Sequence, residues 1–264
     1  MDRQPTTLQL SQSAEGVLTV TLNRPETRNA LNTQMGRELR EIFAPLVFQA
    51  GDARCIVITG AGDKAFCAGG DLKERNGMTD ADWRAQHAIF EEAIYAIMDC
   101  TVPVVAAVNG AAFGGGCELA LACDFIYAAR SARFALTETS LGIIPGCGGT
   151  QNLPRAVGER RAKELILSAR PFTADQALAW GMVNEVFEDD ALMAKTFEAA
   201  RAICANGPIA VRQAKKAIHS GLNADLRTGL AFEIEAYNRT VVTEDRLEGV
   251  KAFGEKRKPR FSGK

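Results

Sequence analysis

With 264 residues, 47% hydrophobic and 24% charged, the chain can bury roughly 70% of its unfolded surface in one large domain. It is therefore not intrinsically disordered, and it needs neither disulfides nor a structural metal to hold together. A net charge of −1 removes the electrostatic footprint of a dedicated nucleic-acid or membrane-surface protein. Thirteen of the 24 glycines fall between Gly60 and Gly149, which marks a third of the chain where backbone turns sharply or comes very close to something.

In chain order, the first strand signal is Val17 to Leu22, where apolar residues alternate with threonine. Thr33 to Val47 follows with Met35, Leu39, Ile42, Phe43 and Leu46 at helical spacing. Cys55 to Thr59 reads as a strand stopped by Gly60, and Asp80 to Cys100 as a long helix carrying Trp83, His87, Phe90, Ile94 and Ile97 on one face. Val104 to Val108 is a strand buried on both faces, and Asp124 to Ala128 and Arg133 to Leu136 are two shorter strands. Thr173 to Gln176 is a capping box opening a helix that ends near Gly181. Beyond Asp189 strand signals vanish. Helix follows helix to Phe253, with Pro208 suited to a first helical turn and Gly221 to a helix end. This divides the chain into a mixed core over residues 1–196 and a helical region over 197–264. The apolar side chains of Leu226 to Thr240 exceed what a terminal helix needs. They pack either within the chain or at a subunit interface.

Seven scattered cysteines without a Cys-x-x-Cys pair suit a reducing compartment and argue against a zinc site. His87 and His219 lie in helical stretches with no Ser, Cys or acidic motif beside them, so a histidine triad is not expected and both read as solvated or partly packed. Met1 to Pro5 lacks signal- and transit-peptide patterns, and Val102 to Val108 is too short to span a bilayer. A cytoplasmic protein without membrane attachment is the expectation.

The chemistry concentrates in three glycine-dense loops. The Val104–Val108 strand empties into Gly114-Gly115-Gly116-Cys117-Glu118, which brings unshielded N–H groups and a helix N-terminus to one point. No Lys-Ser/Thr follows, so this is not a P-loop, and the spacing does not fit a dinucleotide fingerprint. Glu118 in the first helical turn either complements the helix dipole or acts chemically. Glu138, twenty residues later, precedes the second loop, Gly142 to Thr150. With no usable histidine, two carboxylates are the natural acid–base pair, one accepting and one donating a proton. The third loop, Ala65 to Leu72, offers closely spaced N–H groups that could complete an oxyanion hole with Gly114–Gly116.

Taken together, Phe66 to Lys73, Asn109-Gly110 to Ala120, Glu138 and Gly142 to Gln151 resemble the enoyl-CoA hydratase/isomerase (crotonase) superfamily. Leu22-Asn23-Arg24-Pro25, Asn29 to Asn32 and Asp245 to Phe253 fit the same pattern. Asp71-Leu72-Lys73-Glu74-Arg75, Ile144-Pro145, Leu153-Pro154-Arg155 and Ala162 to Leu165 are most similar to its 3-methylglutaconyl-CoA hydratase branch. The resemblance implies an α/β spiral of repeated β-β-α units with a C-terminal helical region, assembled as a homotrimer or a dimer of trimers. It implies hydration of a 2-enoyl-CoA to a 3-hydroxyacyl-CoA, with a branched substrate such as 3-methylglutaconyl-CoA in range and a double-bond isomerase as the alternative. The thioester carbonyl would be gripped by the N–H groups of Ala68 and Gly115. Glu118 would serve as base towards water, and Glu138 would deliver the proton to Cα. Ala68, Gly69, Gly70, Asp71 and Leu72 would line the adenine and pantetheine path, and Arg28 would approach the coenzyme A phosphates. No metal or separate cofactor is implied, coenzyme A being part of the substrate.

Two positions depart from the pattern. Cys147 stands where a smaller residue is common, and Asn152 where arginine is frequent. RNA association through the Thr33–Gln49 helix, known in that branch, is not expected here, because Glu38 and Glu41 offset Arg37 and Arg40 and no lysine is present.

Overall fold

A computed structural model describes residues 4–264. Strand β1 (Leu8–Gln12) pairs antiparallel with β2 (Val17–Leu22), and helix α1 (Thr33–Phe43) follows, capped by the Asn32 side chain accepting from Met35 N–H at 2.9 Å. The helix expected to reach Val47 stops at Phe43 and continues as a 3-10 turn, Ala44–Val47. Pro45 supplies no N–H for a further α-helical bond.

Three turns of β-β-α follow. In the first, β3 (Cys55–Gly60) and β4 (Ala65–Cys67) lead to the single-turn helix α2 (Leu72–Arg75) and the long helix α3 (Asp80–Met98). In the second, β5 (Val104–Val108) and β6 (Ala111–Phe113) lead to α4 (Gly115–Leu121). In the third, β7 (Phe125–Ala129) and β8 (Arg133–Ala135) lead to α5 (Gly149–Val157) and α6 (Glu159–Ser168). A short β9 (Phe172–Thr173), helix α7 (Ala174–Ala179) with the expected Thr173–Gln176 capping box, and β10 (Glu185–Phe187) close the spiral.

Each turn gives its first strand to one sheet, ordered β1-β2-β3-β5-β7-β10, and its second to another, ordered β4-β6-β8-β9. Strands β3 and β5 are buried along their whole length, which is why they carry apolar residues on both faces. Parallel pairing in register, with Ile56 beside Val104 and Val105 beside Phe125, stacks the turns. In the second sheet Ala65 pairs with Ala111 and Phe113 with Ala135, so β4, β6 and β8 run parallel and end side by side. The loops that leave them carry every glycine-rich segment singled out above, gathered where ligands bind α/β sheets, outside the carboxyl ends of the strands.

Helix α8 (Leu192–Cys204) buries Leu192, Thr196, Ala200 and Cys204 against the first sheet. The boundary expected after residue 196 therefore falls inside a helix of the core. Helices α9 (Pro208–Leu222), α10 (Leu226–Val241) and α11 (Glu244–Gly254) complete the chain. Pro208 opens α9 as expected, and the helix runs one residue past Gly221. Lys215 ties α9 to the core, 2.7 Å from Asp124 and 3.0 Å from the Val102 carbonyl. On α10 only Ala236 is buried, whereas Leu226, Leu230, Ile234 and Tyr237 are exposed. Packing within the chain therefore does not cover its apolar face. All seven cysteines are unpaired and buried, and among the described residues no helix is long and apolar enough to cross a membrane.

Candidate active site

Glycines let the three loops converge. A Cβ on Gly116 would lie 2.1 Å from the Cys67 carbonyl oxygen, so α4 can seat against the end of β4 only without a side chain there. Gly114 has φ +51°, and a Cβ on it would lie 3.0 Å from Glu138 Oε1. The result is a cavity of about 110 Å³, a few waters' worth of space at roughly 30 Å³ each. Its walls include Ala68, Gly69, Gly70, Leu72, Gly115, Glu118 and Glu138, so seven of the nine expected site residues share one enclosure. A larger concavity of about 710 Å³ between α11 and the C-terminal tail is an open groove in which Arg257 bonds Glu248 at 2.6 Å and, beside it, Glu255 at 2.7 Å.

Glu118 is 2% exposed. Its Oε1 accepts hydrogen bonds from Cys147 N–H at 2.7 Å and Gly149 N–H at 2.8 Å, which fixes the side chain towards the cavity instead of leaving it on a solvated helix face. Burial raises its pKa to about 7, with the Glu138 charge adding to the rise and the two N–H donors and Arg75 opposing it. Glu138, in a 3-10 turn after β8, is also buried, and burial raises its pKa against the pull of its own backbone N–H and Arg75. Its Oε2 is buried with no hydrogen-bond partner among the described residues. A buried carboxylate oxygen left unpaired at a cavity wall is costly unless something else uses it. Two carboxyls with raised pKa values in one enclosure can hold and exchange a proton.

The expected oxyanion donors need one correction. Ala68 N–H donates to the Arg28 carbonyl at 3.0 Å and is not free. Two residues on, Leu31 N–H donates to Gly69 C=O and Asp71 N–H to Leu31 C=O, each at 2.8 Å, forming a parallel bridge centred on Gly70. Such a bridge uses the groups on either side of the central residue and turns that residue's own N–H the other way. Gly70 N–H thus makes no hydrogen bond among the described residues, and a Cβ on Gly115 would lie 3.9 Å from it. Gly115, first residue of α4, has an N–H with no hydrogen-bond partner among the described residues, for the usual helix-terminus reason. The free donor pair is Gly70 with Gly115.

Asp71 and Arg28 lie outside the cavity wall. The Asp71 carboxylate caps α2 through Lys73 and Glu74 N–H and pairs with Arg24 at 3.0 Å, so it holds the loop's shape. Arg28 is exposed, at φ 54° after a 3-10 turn, and its carbonyl serves Ala68. Cys147 lines the cavity, and burial with the nearby Glu118 carboxylate pushes its thiol far above the ordinary value, so it stays protonated and unreactive. Asn152 turns away, its amide 3.7 Å from Met98 Sδ. On α1, Arg40 pairs with Glu92 at 2.6 Å and Glu38 is buried beneath Thr6 and Thr7.

Two lining residues escaped the sequence reading. His87, expected to be merely solvated or packed, lines the cavity, with its ring 2.5 Å from where a Gly146 Cβ would sit. Among the described residues Arg75 is the one Arg or Lys in the wall, its guanidinium 4.3 Å from the Trp83 ring centroid and 5.6 Å from that of Phe90. Burial depresses its pKa, which Cys147 and the Glu74, Glu138 and Glu118 carboxylates counter, and a guanidinium keeps its charge throughout. Among the described residues no group of three His, Cys, Asp or Glu side chains is placed to hold a metal ion.

The sequence profile of the enoyl-CoA hydratase/isomerase family matches residues 12–264. The YngF protein of Bacillus subtilis (strain 168), provisionally named an enoyl-CoA hydratase/isomerase, is 48% identical over 249 residues, 94% of this chain and 95% of its own. Mouse mitochondrial methylglutaconyl-CoA hydratase is 43% identical over 258 residues, 96% of this chain and 82% of its own. The crystal structure of an enoyl-CoA hydratase from Bacillus anthracis superposes with a TM-score of 0.95 at 45% identity, covering 98% of this chain and all of that one. The chain belongs to the enoyl-CoA hydratase/isomerase family.

Proposed function

We propose that the protein is an enoyl-CoA hydratase, adding water reversibly and syn across the double bond of a 2-enoyl-CoA. The observation that carries this reading is the pair of buried carboxyls, Glu118 and Glu138, in one cavity with two unpaired main-chain N–H groups. Gly70 and Gly115 N–H bind the thioester oxygen, where negative charge develops as the enolate forms, and one such donor contributes about 3–4 kcal/mol to lowering the barrier. Glu118, anchored through Oε1, takes the proton of the attacking water, and Glu138 passes a proton to Cα. A double-bond isomerase needs only one of these carboxylates, so the second argues for hydration.

Arg75 points to the acyl class. A guanidinium in a wall that otherwise holds apolar residues, two carboxyls, His87 and Thr137 suits an acyl group ending in a carboxylate, as in the glutaconyl skeleton named by the mouse relative. The exposed Arg28 and the Ala68–Leu72 loop carry the coenzyme A portion, with no separate cofactor. The uncovered apolar face of α10 buries against further copies, as a homotrimer or a dimer of trimers, and seven unpaired thiols favour a reducing, cytoplasmic setting.

Incubation with crotonyl-CoA tests the activity. Loss of absorbance from the conjugated thioester is the expected result, and no loss at micromolar enzyme overturns it.

A further inference from the structure

The placement of Arg75 is governed by a neutral side chain. Trp83, Gln86, His87 and Phe90 share one face of α3, at i, i+3, i+4 and i+7. Of these, Gln86 is 3% exposed. Its Oε1 accepts from Arg75 Nε at 2.8 Å, and its Nε2 donates to Thr33 Oγ1 and to Glu74 Oε2, both also at 2.8 Å. Glu74 Oε2 takes the Thr33 N–H as well, at 2.8 Å. Chemistry dictates the amide's orientation, because the reverse would aim its NH₂ at a cation and its oxygen at a carboxylate.

Glu74 and Arg75 are adjacent on the same short helix and carry opposite charges. Paired directly, the carboxylate would occupy the guanidinium fork and draw it out of the cavity. Gln86 stands between them. It engages Arg75 through Nε alone, and the two terminal nitrogens make no hydrogen bond among the described residues. Stacking on Trp83 holds the plane of the group while leaving those nitrogens available.

We infer that Gln86 is a positioning residue for acyl selectivity. By separating Glu74 from Arg75, it keeps the guanidinium fork open to a carboxylate at the far end of the acyl group. The inference rests on the acyl class proposed above. A purely structural Gln86, tying α1, α2 and α3 together, would affect all substrates alike.

The test is the ratio of kcat/KM for glutaconyl-CoA to that for crotonyl-CoA. In Gln86→Met the ratio falls by about tenfold or more, the range of one charge-assisted hydrogen bond, through KM of the carboxylated substrate. Gln86→Leu likewise has neither an acceptor for Arg75 nor a donor for Glu74, so the ratio falls as far. Equal losses on both substrates, or an unchanged ratio in Gln86→Leu, overturn the role. Arg75→Met separates the two levels of the argument. A ratio that Arg75→Met leaves unchanged overturns the acyl class and the role of Gln86 with it. A ratio that falls in Arg75→Met but holds in both Gln86 variants overturns Gln86 alone.

Discussion

Replacing Glu118 by glutamine separates catalysis from stability. The amide oxygen can still accept from Cys147 and Gly149 N–H, so the loop keeps its anchor while the base is lost. Turnover should fall by about 10²–10⁴-fold, the usual worth of positioned acid–base help. Stability should move the other way. A carboxyl whose pKa is raised to about 7 by burial from an ordinary 4.5 binds its proton more tightly folded than unfolded. It therefore costs nothing below about pH 4.5, and its penalty grows as pH rises through 7 to roughly 3 kcal/mol. Against this, the new NH₂ group costs about 1 kcal/mol for want of a partner. Glu118→Gln should thus be slightly less stable than the parent near pH 4 and about 2 kcal/mol more stable near pH 8. Urea unfolding at a series of pH values reads the difference directly. A stability difference that stays flat across that range, or near-parental activity, would refute the assignment of Glu118 as a buried base.

Gly115→Pro removes one N–H donor and sets the ring Cδ where that hydrogen pointed, so it both deletes and blocks the oxyanion site. Because a first helical position favours proline the protein still folds, and steady-state kinetics should show kcat/KM down by at least the about 10²–10³-fold of a lost donor. The Leu31 methyl, 3.2 Å from a Cβ there, has to yield by a few tenths of an ångström. Glu38 behaves opposite to Glu118. Burial raises its pKa, but Gln34, Thr6 and Thr7 outweigh this and hold it at about 2, so its stabilisation is full above 4.5 and lost as pH falls towards 2. Glu38→Gln should cost about 2–3 kcal/mol at neutral pH, with the deficit shrinking in acid unfolding titrations.

The long strands and helices were readable because burial on both faces, or on one helical face, writes a period into the residues. Val104–Val108, Asp80–Met98 and the capped α7 illustrate this. The second sheet was partly hidden, because β4 and β6 have three residues each and β9 two, too few to show any period. Glu118 and Glu138 were legible as acids beside glycine loops. Choosing between Ala68 and Gly70 as donor was not, because it depends on a bridge to Leu31 some forty residues earlier. Arg75 was visible only as the end of the Asp71–Arg75 branch pattern, without a role, since what places it is a side chain on the next helix. His87 was on the periodic face of α3, but that face meets the cavity at His87 and Phe90 and the core at Ile94 and Ile97, a division only the fold makes.

A crystal structure with the 3-hydroxybutyryl-CoA product bound examines the two-acid arrangement most directly. The thioester oxygen should lie about 3 Å from both Gly70 N and Gly115 N, with the product hydroxyl within hydrogen-bond reach of Glu118 and Glu138 together. An oxygen held by other donors, or a hydroxyl reaching only one of the two carboxylates, would contradict the account.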